Sequence, residues 1–119
     1  RMRQISIKPR SKRILYNVTV GINPTKIEDW KRFMREEHLP KIFASDCFSS
    51  FRLCRIIDER ADSTTLAVQY VAHSFEHLKK YNTMYAPQLQ KEHLEKFGND
   101  AVAYRSVLEI LEEGEWEPA

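Results

Sequence analysis

The stretch Trp30-Lys31-Arg32-Phe33-Met34-Arg35-Glu36-Glu37-His38-Leu39-Pro40 decides the reading of this chain. Trp30, Phe33 and Met34, with Ile27 before them and His38 after, fall on one broad arc at helical spacing. Pro40 has no amide proton and pushes residue 39 away from helical geometry, so the spacing predicts a helix that ends or kinks there. A second short turn through residues 41–45 is expected, with Pro40 suited to its first position. Upstream, Thr25-Lys26-Ile27-Glu28 has the form of a capping box, with threonine at the cap and glutamate three residues later. The stretch has an echo, Lys91-Glu92-His93-Leu94-Glu95-Lys96-Phe97, which repeats its Glu-His-Leu core. Two similar helices in one short chain point to a doubled, split βαβ unit.

The flanking segments supply the strands. Ile14, Tyr16, Val18, Val20 and Ile22 alternate with Asn17, Thr19 and Gly21, the period-two pattern of a strand that Asn23-Pro24 then breaks. Residues 48–57 read as a second strand, 58–63 as a polar hairpin loop, and 64–72 as a third strand rich in β-branched and aromatic side chains. Ser74 can cap a helix that turns Phe75 and Leu78 inward. Pro87 should interrupt that helix, which resumes through Leu89, His93 and Phe97 and closes at Gly98-Asn99. Residues 102–111 give a fourth strand. The order β-α-β-β-α-β predicts an α+β fold of ferredoxin-like type, an antiparallel four-stranded sheet with both helices on one face. Yet the strands are apolar on both parities: Leu53, Ile57, Val71, Val102 and Leu108 on one, Ile56, Leu66, Val68 and Val107 on the other. A second apolar face needs a cover. A second copy of the sheet is the simplest one, so a homodimer that closes an α/β barrel is expected.

At 119 residues, with 42% hydrophobic and 30% charged residues, the chain has the size and composition of one globular domain. Its net charge of +2 hides a polarity. Arg1, Arg3, Lys8, Arg10, Lys12 and Arg13 sit at one end, Glu112, Glu113, Glu115 and Glu117 at the other, and the body between is neutral. We therefore divide the chain into a basic N-terminal arm at 1–12, a folded domain at 13–111 and an acidic C-terminal tail at 112–119. The arm can bind nucleic acid by counterion release or simply be solvated; the body has no interleaved basic and aromatic patch, so nucleic acid is not the expected partner. No stretch approaches the ~20 apolar residues of a membrane helix, and no apolar leader opens the chain. Cys47 and Cys54 are read as reduced thiols, and the expected location is cytoplasmic.

With the segments Ile14-Leu15-Tyr16-Asn17-Val18-Thr19-Val20, Glu36-Glu37-His38-Leu39-Pro40, Ala67-Val68-Gln69-Tyr70, Tyr85-Ala86-Pro87 and Glu92-His93-Leu94-Glu95-Lys96-Phe97, the chain resembles a family of small bacterial proteins catalogued as a domain of unknown function. The resemblance spans residues 14–111. The chain is also similar to the wider dimeric α/β-barrel superfamily, which includes cofactor-free monooxygenases, EthD-like proteins, sugar mutarotases and stress-responsive barrel proteins. Trp30…His38-Leu39-Pro40 is similar to a Trp/His/Pro segment of the EthD-like branch. The resemblance implies the fold, a dimer and a pocket between helices and sheet. It implies no single chemistry.

The candidate site residues follow from position. His38 shares an arc with Trp30 and Met34 beside the break at Pro40, and imidazole titrates near neutrality, so it suits acid–base work. It equally suits a hydrogen bond to a carbonyl freed at the helix end. His93 occupies the matching place in the second helix and can orient a ligand or serve as a cap. Trp30 and Tyr85 can wall a planar ligand. Asn17, Arg52, Gln69 and Arg105 put one polar residue on each strand; Asn17, Gln69 and Arg105 share odd parity and either line the cavity or tie a dimer together. His73 and His77 straddle a helix start without the further ligands that zinc needs, so no metal is expected. There is no glycine-rich phosphate loop and no nucleophile elbow, and no cofactor is expected. The function read from these residues is a small-molecule-binding dimer, either a cofactor-free isomerase or oxygenase using His38, or a non-catalytic binding or structural module.

Overall fold

In a computed structural model, which describes residues 3–58 and 64–118, the alternating segment forms a nine-residue strand, β2 (Ile14–Ile22), preceded by the short β1 (Gln4–Ile7). The first helical region is α1 (Ile27–Phe33), a π turn at Met34–His38, and α2 (Leu39–Phe43). Then come β3 (Phe48–Arg55), β4 (Thr65–Ala72), α3 (Phe75–Met84), α4 (Ala86–Phe97), β5 (Ala101–Glu109) and β6 (Gly114–Glu117). Most of the hairpin loop expected at 58–63, namely 59–63, lies outside the described residues. The main sheet runs β3-β4-β2-β5, antiparallel throughout, with the helices on one face: the ferredoxin-like arrangement.

The helix ends differ in detail from the sequence reading. Thr25 is not the cap. The Asn23 side chain accepts the Thr25 amide at 3.1 Å and opens a 3-10 turn at Pro24–Lys26 that leads into α1. Leu39 is helical (φ −60°, ψ −44°), so Pro40 does not expel it from the helix. The π turn adds a residue just before Pro40, and the proline falls in the first turn of α2, where its missing amide proton costs little. The second break is where the sequence puts it. Tyr85 (φ −121°) separates α3 from α4, Pro87 lies in the first turn of α4, and Ser74 caps α3 by accepting the His77 amide at 3.1 Å. Gly98, at φ 52°, closes α4.

The core lies between helices and sheet. Ile14, Tyr16, Val20 and Ile22 from β2 and Leu66, Val68, Tyr70 and Ala72 from β4 meet Trp30, Leu78, Tyr81 and Leu89 from the helices. Trp30, Leu78, Val68 and Cys47 are the largest fully buried side chains. Parity sorts β5 as the sequence suggests, with Val107, opposite Tyr16, on the helix face beside Val68 and Leu66, but it misplaces β3: Leu53 pairs with Val68 and so joins the helix face, not the group of Val71. Leu15, Val71, Val102 and Leu108 occupy the opposite face, with Val102 and Leu108 exposed.

The two ends of the chain pair with each other, which the charge reading does not foresee. β1 and β6 form a separate antiparallel ribbon, with Ile5 opposite Trp116. Exposed ion pairs Lys8–Glu115 (3.1 Å) and Arg10–Glu109 (2.6 Å), and the less exposed Arg13–Glu113 (2.6 Å), run along its base. Among the described residues, no helix is long and apolar enough to cross a membrane.

Candidate functional site

Where α1, the π turn and α4 lie over the sheet, they leave a small chamber. Its walls are His38 and Met34 from the π turn, Trp30 from α1, His93 and Gln90 from α4, and the inward residues of β2, β4 and β5. The chamber holds about 40 Å3, room for two or three waters at roughly 10–15 Å3 each, or for the end of a larger molecule. Outside it, a groove of about 310 Å3 runs between the start of α4 and β5, lined by Tyr16, Asn82, Ala86, Pro87, Gln90, Arg105 and Val107. Tyr16, Gln90 and Arg105 line both spaces and so form the threshold between them.

The two histidines meet across this chamber, their rings 5.8 Å apart, with Phe33 packed 5.4 Å from His38 and 6.1 Å from His93. The buried Trp30 indole N–H donates to His93 Nε2 at 3.0 Å. That bond makes Nε2 an acceptor and leaves the His93 proton on Nδ1. His38 Nδ1 is buried with no hydrogen-bond partner. Burial first, then the neighbouring His93, pushes the His38 pKa down to about 4. Burial, then Arg105, lowers that of His93 as well. Both imidazoles are therefore neutral near pH 7 and can accept a proton or a hydrogen bond. Tyr16, Tyr70 and Tyr81 cluster beneath them (centroids 6.0 and 6.4 Å from Tyr16), and burial raises the pKa of all three phenols.

Of the residues singled out from sequence, Trp30, His38 and His93 converge on the chamber. Tyr85 does not line it; its ring stacks on Tyr81 at 6.5 Å at the α3–α4 break. Asn17 and Gln69 pair with each other across β2 and β4 on the helix-free face, so they cannot touch a ligand held by His38 in the same subunit. Arg52 joins their row from β3, and Ser106 completes it from β5. Arg105, grouped with Asn17 and Gln69 by parity, points the other way, to the helix side. Sequence reasoning missed Gln90 as a wall residue and put Arg105 in the wrong group. The signal available for Arg105 was an arginine inside an otherwise apolar alternation. His73 and His77 lie 5.2 Å apart outside the chamber, with Ser74 Oγ 2.7 Å from His77 Nδ1. No cluster of three metal-ligating side chains occurs among the described residues.

The family described as Domain of unknown function (DUF4286) matches residues 13–111. No curated protein matches significantly. Among solved structures, the chain is similar to a dimeric ferredoxin-like protein from an uncultured marine organism, with TM-score 0.65 and 9% identity over 85% of this chain and 97% of that one. An EthD (ethyl tert-butyl ether D) family protein from Bacillus halodurans C-125 gives TM-score 0.60 and 12% identity over 78% and 96%. A candidate monooxygenase from Shewanella loihica PV-4 gives 0.56 and 14% over 87% and 98%. At such identities the likeness is one of fold.

Proposed function

We propose, for a chain that belongs to the family described as Domain of unknown function (DUF4286), that the His38 chamber and its outer groove bind a small organic molecule and that the protein works as a homodimer. One observation carries this reading: His38 Nδ1 is buried at the wall of a cavity without a partner. Native proteins leave few such atoms, and each costs on the order of 1–3 kcal/mol unless something satisfies it. A ligand group entering the chamber would supply the missing hydrogen bond. The outer groove supplies the remaining volume, at the lower end of the roughly 300–1,000 Å3 usual for small-molecule sites.

In the enzymatic form of this reading His38, neutral at pH 7, takes a proton from the bound ligand. His93, oriented by Trp30, stands beside it and stays neutral. Proton removal and return would make an isomerase. Proton removal followed by reaction with dioxygen would make a cofactor-free oxygenase, the chemistry that the likeness to a candidate monooxygenase supports by fold alone. The alternative is a non-catalytic binding or structural module, and the narrowness of the chamber favours it, since about 40 Å3 does not enclose a substrate.

Native mass spectrometry of the protein isolated from cell extract tests the binding reading. A small molecule should co-purify and should be lost from His38→Ala with the fold retained. If the parent carries no ligand and His38→Ala instead loses on the order of 1–3 kcal/mol of stability, His38 is a structural cap and the binding site is refuted.

A further inference from the structure

Arg105 stands where the chamber opens into the outer groove. It lies on β5 in a cross-strand row whose other members are Val18, Val68 and Leu53, on the face that builds the core. Arg105 faces the helix side from the edge strand β5 but is exposed, so its guanidinium is open to water and to an incoming ligand. Its charge lies beside the Tyr16 hydroxyl, and among the described residues it makes no salt bridge to a carboxylate. Tyr16, Tyr70, Tyr81, His38 and His93 all feel its charge, and none of these five is negative near pH 7.

Resting on the reading of the chamber as a ligand site, we infer that Arg105 selects the class of ligand: a planar organic anion whose carboxylate, or equivalent ionised oxygen, docks on the free edge of the guanidinium. The planar fork of arginine matches a carboxylate with two parallel hydrogen bonds, which an ammonium could not reproduce. The Gln90 and Asn82 amides add donors beside it, and Ala86, Pro87 and Val107 offer an apolar bed for a ring in the groove. A ligand so held reaches past Tyr16 toward His38 and brings a negative charge near two neutral imidazoles. The groove lies on the helix side of the sheet, so it stays open when the helix-free faces pair.

Benzoate and its neutral isostere benzamide are suitable probes, titrated by NMR with the Trp30 indole N–H and the Gln90 and Arg105 amides as reporters. Benzoate should bind the wild-type protein at least about tenfold more tightly than benzamide, as a charge-assisted contact requires. Arg105→Gln should lower benzoate to the level of benzamide and leave benzamide unchanged. Equal binding of both probes to the wild type, or an undiminished benzoate preference in Arg105→Gln, overturns the role of Arg105 while leaving the ligand site standing. No response to either probe at the reporters overturns the site and the inference together. The wild-type comparison decides the matter even if the variant does not fold.

Discussion

At the residue scale the chamber turns on which groups are left neutral. The His38 pKa of about 4 lies below the ordinary 6.5 because burial penalises the imidazolium. Between those values the unfolded chain binds the proton and the folded one does not, so stability is intact above about pH 6.5 and falls as the pH drops toward 4. The loss attributable to this group is on the order of 2–3 kcal/mol. Urea unfolding at pH 7 and pH 4 should show a loss in the wild type that exceeds the loss in His38→Gln by about that amount, since His93 contributes in both; equal losses in both would mean that His38 does not titrate abnormally. Trp30→Phe should cost about 2–4 kcal/mol, since it leaves His93 Nε2 without its donor and opens space around a side chain 1% exposed. Chemical denaturation measures it, and a loss below 1 kcal/mol would show that the indole bond is not structural. His38, His93 and Trp30 were legible in the sequence because helical spacing fixes which side chains share a face. Arg105 was not, because its face depends on strand register. Asn17 of β2 pairs with Gln69 of β4 but with Ser106 of β5, so odd residues meet odd ones on one side and even ones on the other. Chain connections set that offset, and no strand encodes it alone.

At the scale of elements, Pro87 was read correctly as an interruption, whereas at Pro40 the chain stays helical through Leu39 and absorbs the proline with a π turn. Pro87 sits where α4 begins, in a first turn that needs no amide proton from it. Pro87→Ala should therefore change stability by less than about 1 kcal/mol, not the ~3 kcal/mol of a helix-interior proline. A loss of several kcal/mol would mean that the Tyr85 break depends on the ring. At Pro40 the chain inserts a π turn and continues helically, which keeps Met34 buried and leaves His38 at the chamber wall. Spacing alone predicts the interruption but cannot choose between a stop and a π turn. The bulge in β3, where the register shifts between Phe48 and Ser50, is hidden for the same reason, and it moves the inward parity of that strand. The ribbon of β1 and β6 was missed because each strand has four residues and they meet only in three dimensions. Its mostly exposed ion pairs are each worth about 0–1 kcal/mol. Deleting residues 1–12 should then lower the melting temperature by a few degrees at most; a much larger fall in a thermal scan would show that the ribbon packs against a surface the single chain does not supply.

For the whole molecule the open question is the helix-free face. Leu15 and Val71 are half-buried there, while Leu108 (44% exposed), Val102 (47%) and Tyr104 (71%) stand open to water. Between them the row Arg52-Gln69-Asn17-Ser106 crosses all four strands. Such a surface, apolar with one polar band, suits pairing with its own copy: the apolar flanks supply the burial, and the band fixes the register by hydrogen bonds across the interface. Sequence composition foretold that the sheet would be apolar on both faces, but not that its polar residues would align into one band, which again follows from register. The expectation is a dimer at micromolar concentration by sedimentation. Leu108→Arg places a charge on the exposed apolar flank, where it need not unfold the monomer, and it should convert the dimer to a folded monomer with the Trp30–His93 contact intact. A wild-type protein that sediments as a monomer rules the pairing out, and so does a Leu108→Arg variant whose dimer is undiminished, because then the two copies meet by some other surface.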